Sequence, residues 1–277
     1  MSPELKEKNA DVQIQYGLMN ALFKNYELDL KADIELSKYP YSNRAVYNGI
    51  KKMDLVIEKL ISCDSFYVSN VLTRVLFEHY IVTYYIAVKS QLEFSDSVGR
   101  QYYNEYRYAD HLKRLSYDLK VERISQDQLA PQFLDLQARY DEYAKLSVQE
   151  KDKLMEVWNS FYRIDNIIKY LLHNEKQDKD SRLYHEQLPI LLNIYNVTSS
   201  YVHGGAIAEF ETFEMDGHFR DNRIESFIMF GKIVVYSLKL RLMSSLIPRN
   251  RMYSKAVLPI EYFILKQFFR FNYTNPI

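Results

Sequence analysis

The chain has 277 residues, 47% hydrophobic and 26% charged, enough for one large domain or two modest ones with a sizeable core. Its 36 Lys and Arg balance 36 Asp and Glu, so no net field drives adhesion to nucleic acid or acidic membranes, and any polyanion site must be a local patch. Seven Gly and seven Pro against 25 Tyr and 15 Phe argue against a turn-rich β fold, while the lone Cys63 excludes an internal disulfide framework and a cysteine zinc site.

The amino end, Met1 to Lys8, is polar and lacks the apolar stretch of a secretory signal, so a cytoplasmic protein is expected. From about Asn9 to Lys31, Val12, Leu18, Leu22, Phe23, Tyr26 and Leu30 recur at helical spacing, with Gly17 the weak point. Pro40 breaks the pattern, after which Ser42 or Asn43 caps a second helix carrying Val46, Ile50, Met53, Ile57 and Leu60. Asp64 and Ser65 offer the cap for a third helix, Asp64 to Ser90, apolar on nearly every side and therefore expected to be the central one. Within it Arg74 and Glu78 lie one turn apart on one face. Burying such a pair is costly unless further hydrogen bonds complete it, which makes both residues candidates for a functional centre.

A further helix follows Ser95 or Asp96 through Tyr102, Tyr103, Tyr106, Leu112 and Leu115. Its Arg107 and His111 stand one turn apart, a spacing that a solvated helix face explains. Pro131 suits the first turn of a helix, and Ser147 with Glu150 forms a capping box for another, which passes Trp158 and reaches Leu172. The polar run from His173 to Ser181 is expected as a surface loop and is the one plausible domain boundary. The broad apolar faces on both sides favour a single bundle over residues 1–277, of roughly eight to ten helices.

The next helix runs from near Ser181 to the stop at Gly204 and Gly205, and residues 206–221 read as a loop. Helices from Asn222 to Leu246 and from Leu258 to Phe271 complete the bundle. The apolar stretch from Ile224 to Ile247 carries Glu225, Lys232, Lys239 and Arg241, which a bilayer-spanning helix rarely tolerates, so no membrane span is expected. The aromatic run Tyr262 to Tyr273 reads as core packing or an oligomer contact, and the nearby Arg241, Arg249, Arg251 and Lys255 are the favoured polyanion patch.

A second polar feature precedes the glycine pair. Seven residues span about two helical turns, so Asn196 and His203 face nearly the same way with Ser199 or Ser200 between them. That aligns an amide, a hydroxyl and an imidazole at a helix C-terminus, where the dipole favours a cation. A capping histidine beside a glycine stop accounts for the same residues without any chemistry.

The Arg-x-x-x-Glu pair of Arg74 and Glu78, followed far downstream by Ser199-Ser200-Tyr201-Val202-His203-Gly204, resembles a group of uncharacterised bacterial all-helical proteins. That group is related to HEPN (higher eukaryotes and prokaryotes nucleotide-binding) domains. The resemblance implies an all-α, HEPN-like bundle and a metal-independent endoribonuclease of a toxin or phage-defence system, acting as a homodimer. In such proteins a polar residue, usually arginine, precedes a histidine on one helix with four to six residues between them. Asn196, with six residues between it and His203, matches the looser asparagine-bearing form. By the same resemblance His203 is the general acid or base and Asn196 orients it or the phosphate. Arg74 is then needed to neutralise phosphate charge, and Glu78 to position Arg74 or the histidine. Ser199, Ser200 and Tyr201 are secondary candidates.

No His-Glu-x-x-His or Glu-x-x-His spacing and no glycine-rich phosphate loop occurs, so neither metal nor cofactor is expected. The imperfect motif and the neutral charge keep a rival open, a noncatalytic sensor or antitoxin-like module. Its pocket would take a nucleotide, or a protein partner encoded nearby. A third reading makes Arg74 and Glu78 an internal brace.

Overall fold

The computed structural model describes residues 3–125, 163–174 and 187–246, together with 127–129, 131, 132, 134, 146–150, 152, 153 and 156. Among these residues all regular structure is helical, as the periodicity predicts.

The single helix expected from Asn9 to Lys31 is two, α1 (Pro3–Asn25) and α2 (Glu27–Leu36). The break falls at Tyr26 and not at Gly17. Tyr26 leaves helical ψ, yet its N–H still reaches Leu22 O at 3.0 Å and its carbonyl accepts from Leu30 N at 2.7 Å, so the ladder is offset more than cut. α3 (Pro40–Ile61) starts on Pro40, where a missing N–H costs nothing. Neither Ser42 nor Asn43 caps it. The Asp96 carboxylate receives the N–H groups of Tyr41 (3.0 Å) and Ser42 (2.8 Å), a cap supplied from the far side of the next helix and invisible to local reading.

α4 (Phe66–Leu92) is capped as expected by Ser65, whose hydroxyl accepts from Val68 N at 3.3 Å. It packs against α3, and its Thr83 Oγ1 would lie 2.2 Å from a Cβ placed at Gly49, so the two helices approach where a side chain is lacking. α5 (Ser97–Gln101) passes through a π turn (Tyr102–Tyr106) into α6 (Arg107–Lys120), so the helix expected after Asp96 carries a widened turn at its tyrosines. The box at Ser147 and Glu150 forms in both directions, Ser147 N to Glu150 Oε2 at 2.8 Å and Glu150 N to Ser147 Oγ at 3.3 Å.

α7 (Ile164–Asn174) takes in His173 and Asn174, the first residues of the expected surface loop; its remainder lies outside the described residues. So do Trp158, Arg249, Arg251, Lys255, the aromatic run and the C-terminal helix expected at 258–271. α8 (Gln187–His203) ends at the glycine pair as predicted. The loop expected over 206–221 is a correction: α9 (Ala206–Phe213) occupies its first half, and α10 (Gly217–Leu246) begins five residues before the expected Asn222. The sustained period is missing there because α9 is only two turns long. Ala208 and the half-buried Glu211 and Thr212 face inward while Phe210 and Phe213 face out.

The main core lies between α1, α3, α4 and α10, with α7 and α8 laid against α4, which is the central helix. A smaller separate cluster of Phe66, Tyr201 and Ala208, flanked by Val71 and Ile224, fills the space under the end of α8. Among the described residues no helix is long and apolar enough to cross a membrane.

Candidate functional site

α4 and α8 run antiparallel. Tyr67 near the start of α4 meets Tyr201 near the end of α8, while Arg74, two turns on, meets Tyr195 and Ser199. The Arg74 side chain is only 10% exposed, and its guanidinium is engaged on three sides. Nε donates to Glu78 Oε1 at 2.9 Å, Nη1 to Ser199 Oγ, and Nη2 to Tyr195 Oη at 2.6 Å. The guanidinium carbon also sits 3.9 Å from the centre of the Tyr195 ring. The planar fork makes this possible, because three of its five N–H groups point to three different residues in one plane and two remain.

The cost of burying the cation is thus met by a carboxylate, two hydroxyls and an aromatic face. Glu78 stays 41% exposed, which keeps the pair at the edge of the packing and open to water. Burial raises the Tyr195 phenol above its ordinary range. Arg74 opposes that, while the carboxylates of Glu78 and of Asp165 on α7 add to it.

The helical wheel explains which predicted residues join this bracket. Tyr195 and Ser199 are one turn apart on the edge of α8 that faces Arg74, and His203 is the next residue in that series, about 6 Å further along the axis and about 40° around it. Asn196 lies close to His203 on the wheel. Both are exposed, and among the described residues neither has a hydrogen bond or ion pair. The structure therefore brings Arg74, Glu78 and Ser199 together and sets Asn196 and His203 on the adjoining open flank, beside the bracket instead of within it.

Ser200 and Tyr201 are outside the bracket. The Ser200 hydroxyl turns back to Val197 O at 2.9 Å, and Tyr201 is fully buried with its hydroxyl on Glu211. Tyr195 is the residue that sequence reasoning missed. Its signal was available, since a tyrosine one turn before Ser199 must share its face. Arg107 and His111 lie on α6.

The end of α8 is built with equal care. Gly204 takes φ +65, and Gly205 N donates to Ser200 O at 2.8 Å, the six-to-one bond of a Schellman turn with His203 as the last helical residue. Among the described residues no three His, Cys, Asp or Glu side chains are grouped as a metal ion would require. Comparison of the chain with known protein families, with curated proteins and with solved structures finds no match to any of them.

Proposed function

We propose that the protein is a HEPN-like, metal-independent endoribonuclease of the cytoplasm, of the toxin or phage-defence kind, working as a homodimer. The observation that carries the reading is the reach of Arg74 across the seam to Ser199, on the helix edge that ends one turn later in the exposed imidazole of His203. A fixed guanidinium and an accessible imidazole on one surface are the two groups that cleavage of an RNA phosphodiester requires without metal.

In this reading the ribose 2′-oxygen attacks the adjacent phosphorus as the bond from phosphorus to the 5′-oxygen breaks. One imidazole takes the 2′ proton and another gives a proton to the departing 5′-oxygen, so a second copy of the chain supplies the second His203. The two N–H groups of Arg74 beyond its three bonds face the phosphate oxygens, Glu78 and Tyr195 keep the fork flat and aimed, and Asn196 orients the imidazole or the phosphate. Imidazole suits both proton transfers because its ring nitrogens can accept a proton in the neutral form and donate one in the cationic form.

Purified protein is expected to cut single-stranded RNA in the presence of a chelator. His203→Ala is expected to lower the rate by about a hundredfold or more, the scale of general acid–base catalysis, with an unchanged helical circular-dichroism spectrum. Equal cleavage by the variant, or none by the wild type, overturns the proposal.

A second reading is favoured by one feature, that three of the five Arg74 N–H groups already bind the chain's own side chains. In it the same surface is a noncatalytic nucleotide or protein docking point. Arg74→Ala then weakens binding with no turnover to lose.

A further inference from the structure

His203 has no side-chain partner among the described residues, so the backbone of the last turn of α8 is what fixes the root from which its imidazole reaches out. Helix ends fray, because the final carbonyls have no partner further along the helix. Here that turn is tied down from three other helices. Tyr67 on α4 donates its hydroxyl to Tyr201 O at 2.7 Å, taking the carbonyl that a Schellman turn would otherwise give to the residue after the helix.

The Tyr201 ring is buried edge-on to Phe66, with centroids 5.9 Å apart, and its own hydroxyl donates to Glu211 Oε2 on α9. The same carboxylate oxygen is 2.8 Å from Arg223 Nη1 on α10, with both side chains largely buried. Arg223 in turn lies against the rings of Phe66 and Phe227, at 5.8 and 5.6 Å from their centres. The chain of contacts closes on α4, where it began. A buried ion pair of this kind adds little net stability over an apolar replacement, but it fixes geometry, because each partner is badly off without the other.

We infer that Tyr67 and the chain Tyr201–Glu211–Arg223 are positioning residues that hold the last turn of α8 and thereby aim His203 beside the Arg74 bracket. The inference rests on the reading of His203 as the acid–base group. It is separable from that reading in the following experiment.

Tyr67→Phe and Tyr201→Phe each remove one hydroxyl and leave the ring. Amide exchange at Val202, His203 and Gly205 is followed by NMR, and RNA cleavage is measured in parallel. Exchange at these three amides is expected to rise about tenfold while the core amides of α4 hold, and kcat to fall about tenfold with KM within about twofold. A faster exchange with an unchanged kcat makes the ties plain scaffolding and overturns the inference. Exchange that stays at the wild-type rate in both variants overturns it as well. Wild-type protein that cuts no RNA removes the enzymatic reading and the aiming role with it, and this failure is recognised by exchange that still responds to the lost hydroxyls.

Discussion

Arg74 and Lys239 are both cations held inside the packing of helices, and their surroundings differ in kind. Lys239 is 1% exposed, deep between α1, α3 and α10; its ammonium group donates to Asp54 Oδ1 at 2.7 Å and to Asn20, and it lies 5.0 Å from the centre of the Tyr16 ring. Tyr16 also donates to Asp54, at 2.6 Å, so the cluster closes on itself. Burial pushes the lysine below its ordinary range, against the pull of Asp54, and pushes the Tyr16 phenol up.

Arg74 is buried to a similar degree but stands at a rim. It bonds to hydroxyls of a second helix and keeps two N–H groups beyond its described bonds, and its partner Ser199 is followed one turn on by the exposed His203. The Lys239 cluster closes on its own side chains, whereas the Arg74 bracket lies where Glu78 meets water. A buried charge points to function when it lies at an edge where something else can arrive.

The contrast predicts different consequences of mutation, the largest of them in the closed cluster. Asp54→Ala leaves Lys239 unpaired and is expected to cost about 3 kcal/mol or more in urea unfolding. Lys239→Met in the same background is expected to restore most of that, and a loss below about 1 kcal/mol would mean the cluster admits water. Arg74→Met is expected to cost less, about 2 kcal/mol, because the Tyr195 and Ser199 hydroxyls it abandons sit where water can reach them. A double-mutant cycle with Glu78→Ala is expected to find a coupling of about 0.5 kcal/mol, given the exposure of that carboxylate. A coupling several times larger would return Arg74 and Glu78 to the role of an internal brace.

The smallest effect concerns His79, next to Glu78 on α4. Burial lowers its imidazole below the ordinary histidine range, Lys52 adds to this, and Glu78 opposes it. The folded protein then binds fewer protons than the unfolded chain between the folded value and the ordinary one. Stability from the neutral ring is therefore full above the ordinary range and lost as pH falls through the depressed value. His79→Gln is expected to flatten that part of the urea midpoint against pH, and an unchanged slope would assign it to other groups.

Much of this architecture was legible because its signals are local. Ser65 caps α4, the Ser147 box forms, and Gly204 ends α8, each through groups within a few residues. The central place of α4 follows from apolar residues on every side of its wheel. What escaped the sequence reading depends on partners brought by the fold. Asp96 caps a helix that begins 56 residues earlier, at Pro40, and α9 buries too few residues to show a period.

The same division runs through the site. Arg74 and Glu78 were conspicuous as charges in an apolar helix, and Lys232 and Lys239 carry the same signal in α10, where it marks a structural cluster instead. Ser199 was visible as a hydroxyl on the helix edge that His203 ends. Tyr67, Glu211 and Arg223 were not, since tyrosines and surface-type charges are common in this chain and only their contacts single them out.

That two segments more than a hundred residues apart form one working surface is tested most directly by a kinetic cycle. RNA cleavage is compared for wild type, Arg74→Met, His203→Ala and the double variant. Groups acting together on one phosphate predict that the double variant loses little more in kcat/KM than the worse single one. Losses that multiply would show Arg74 and His203 to be independent and would contradict the shared site.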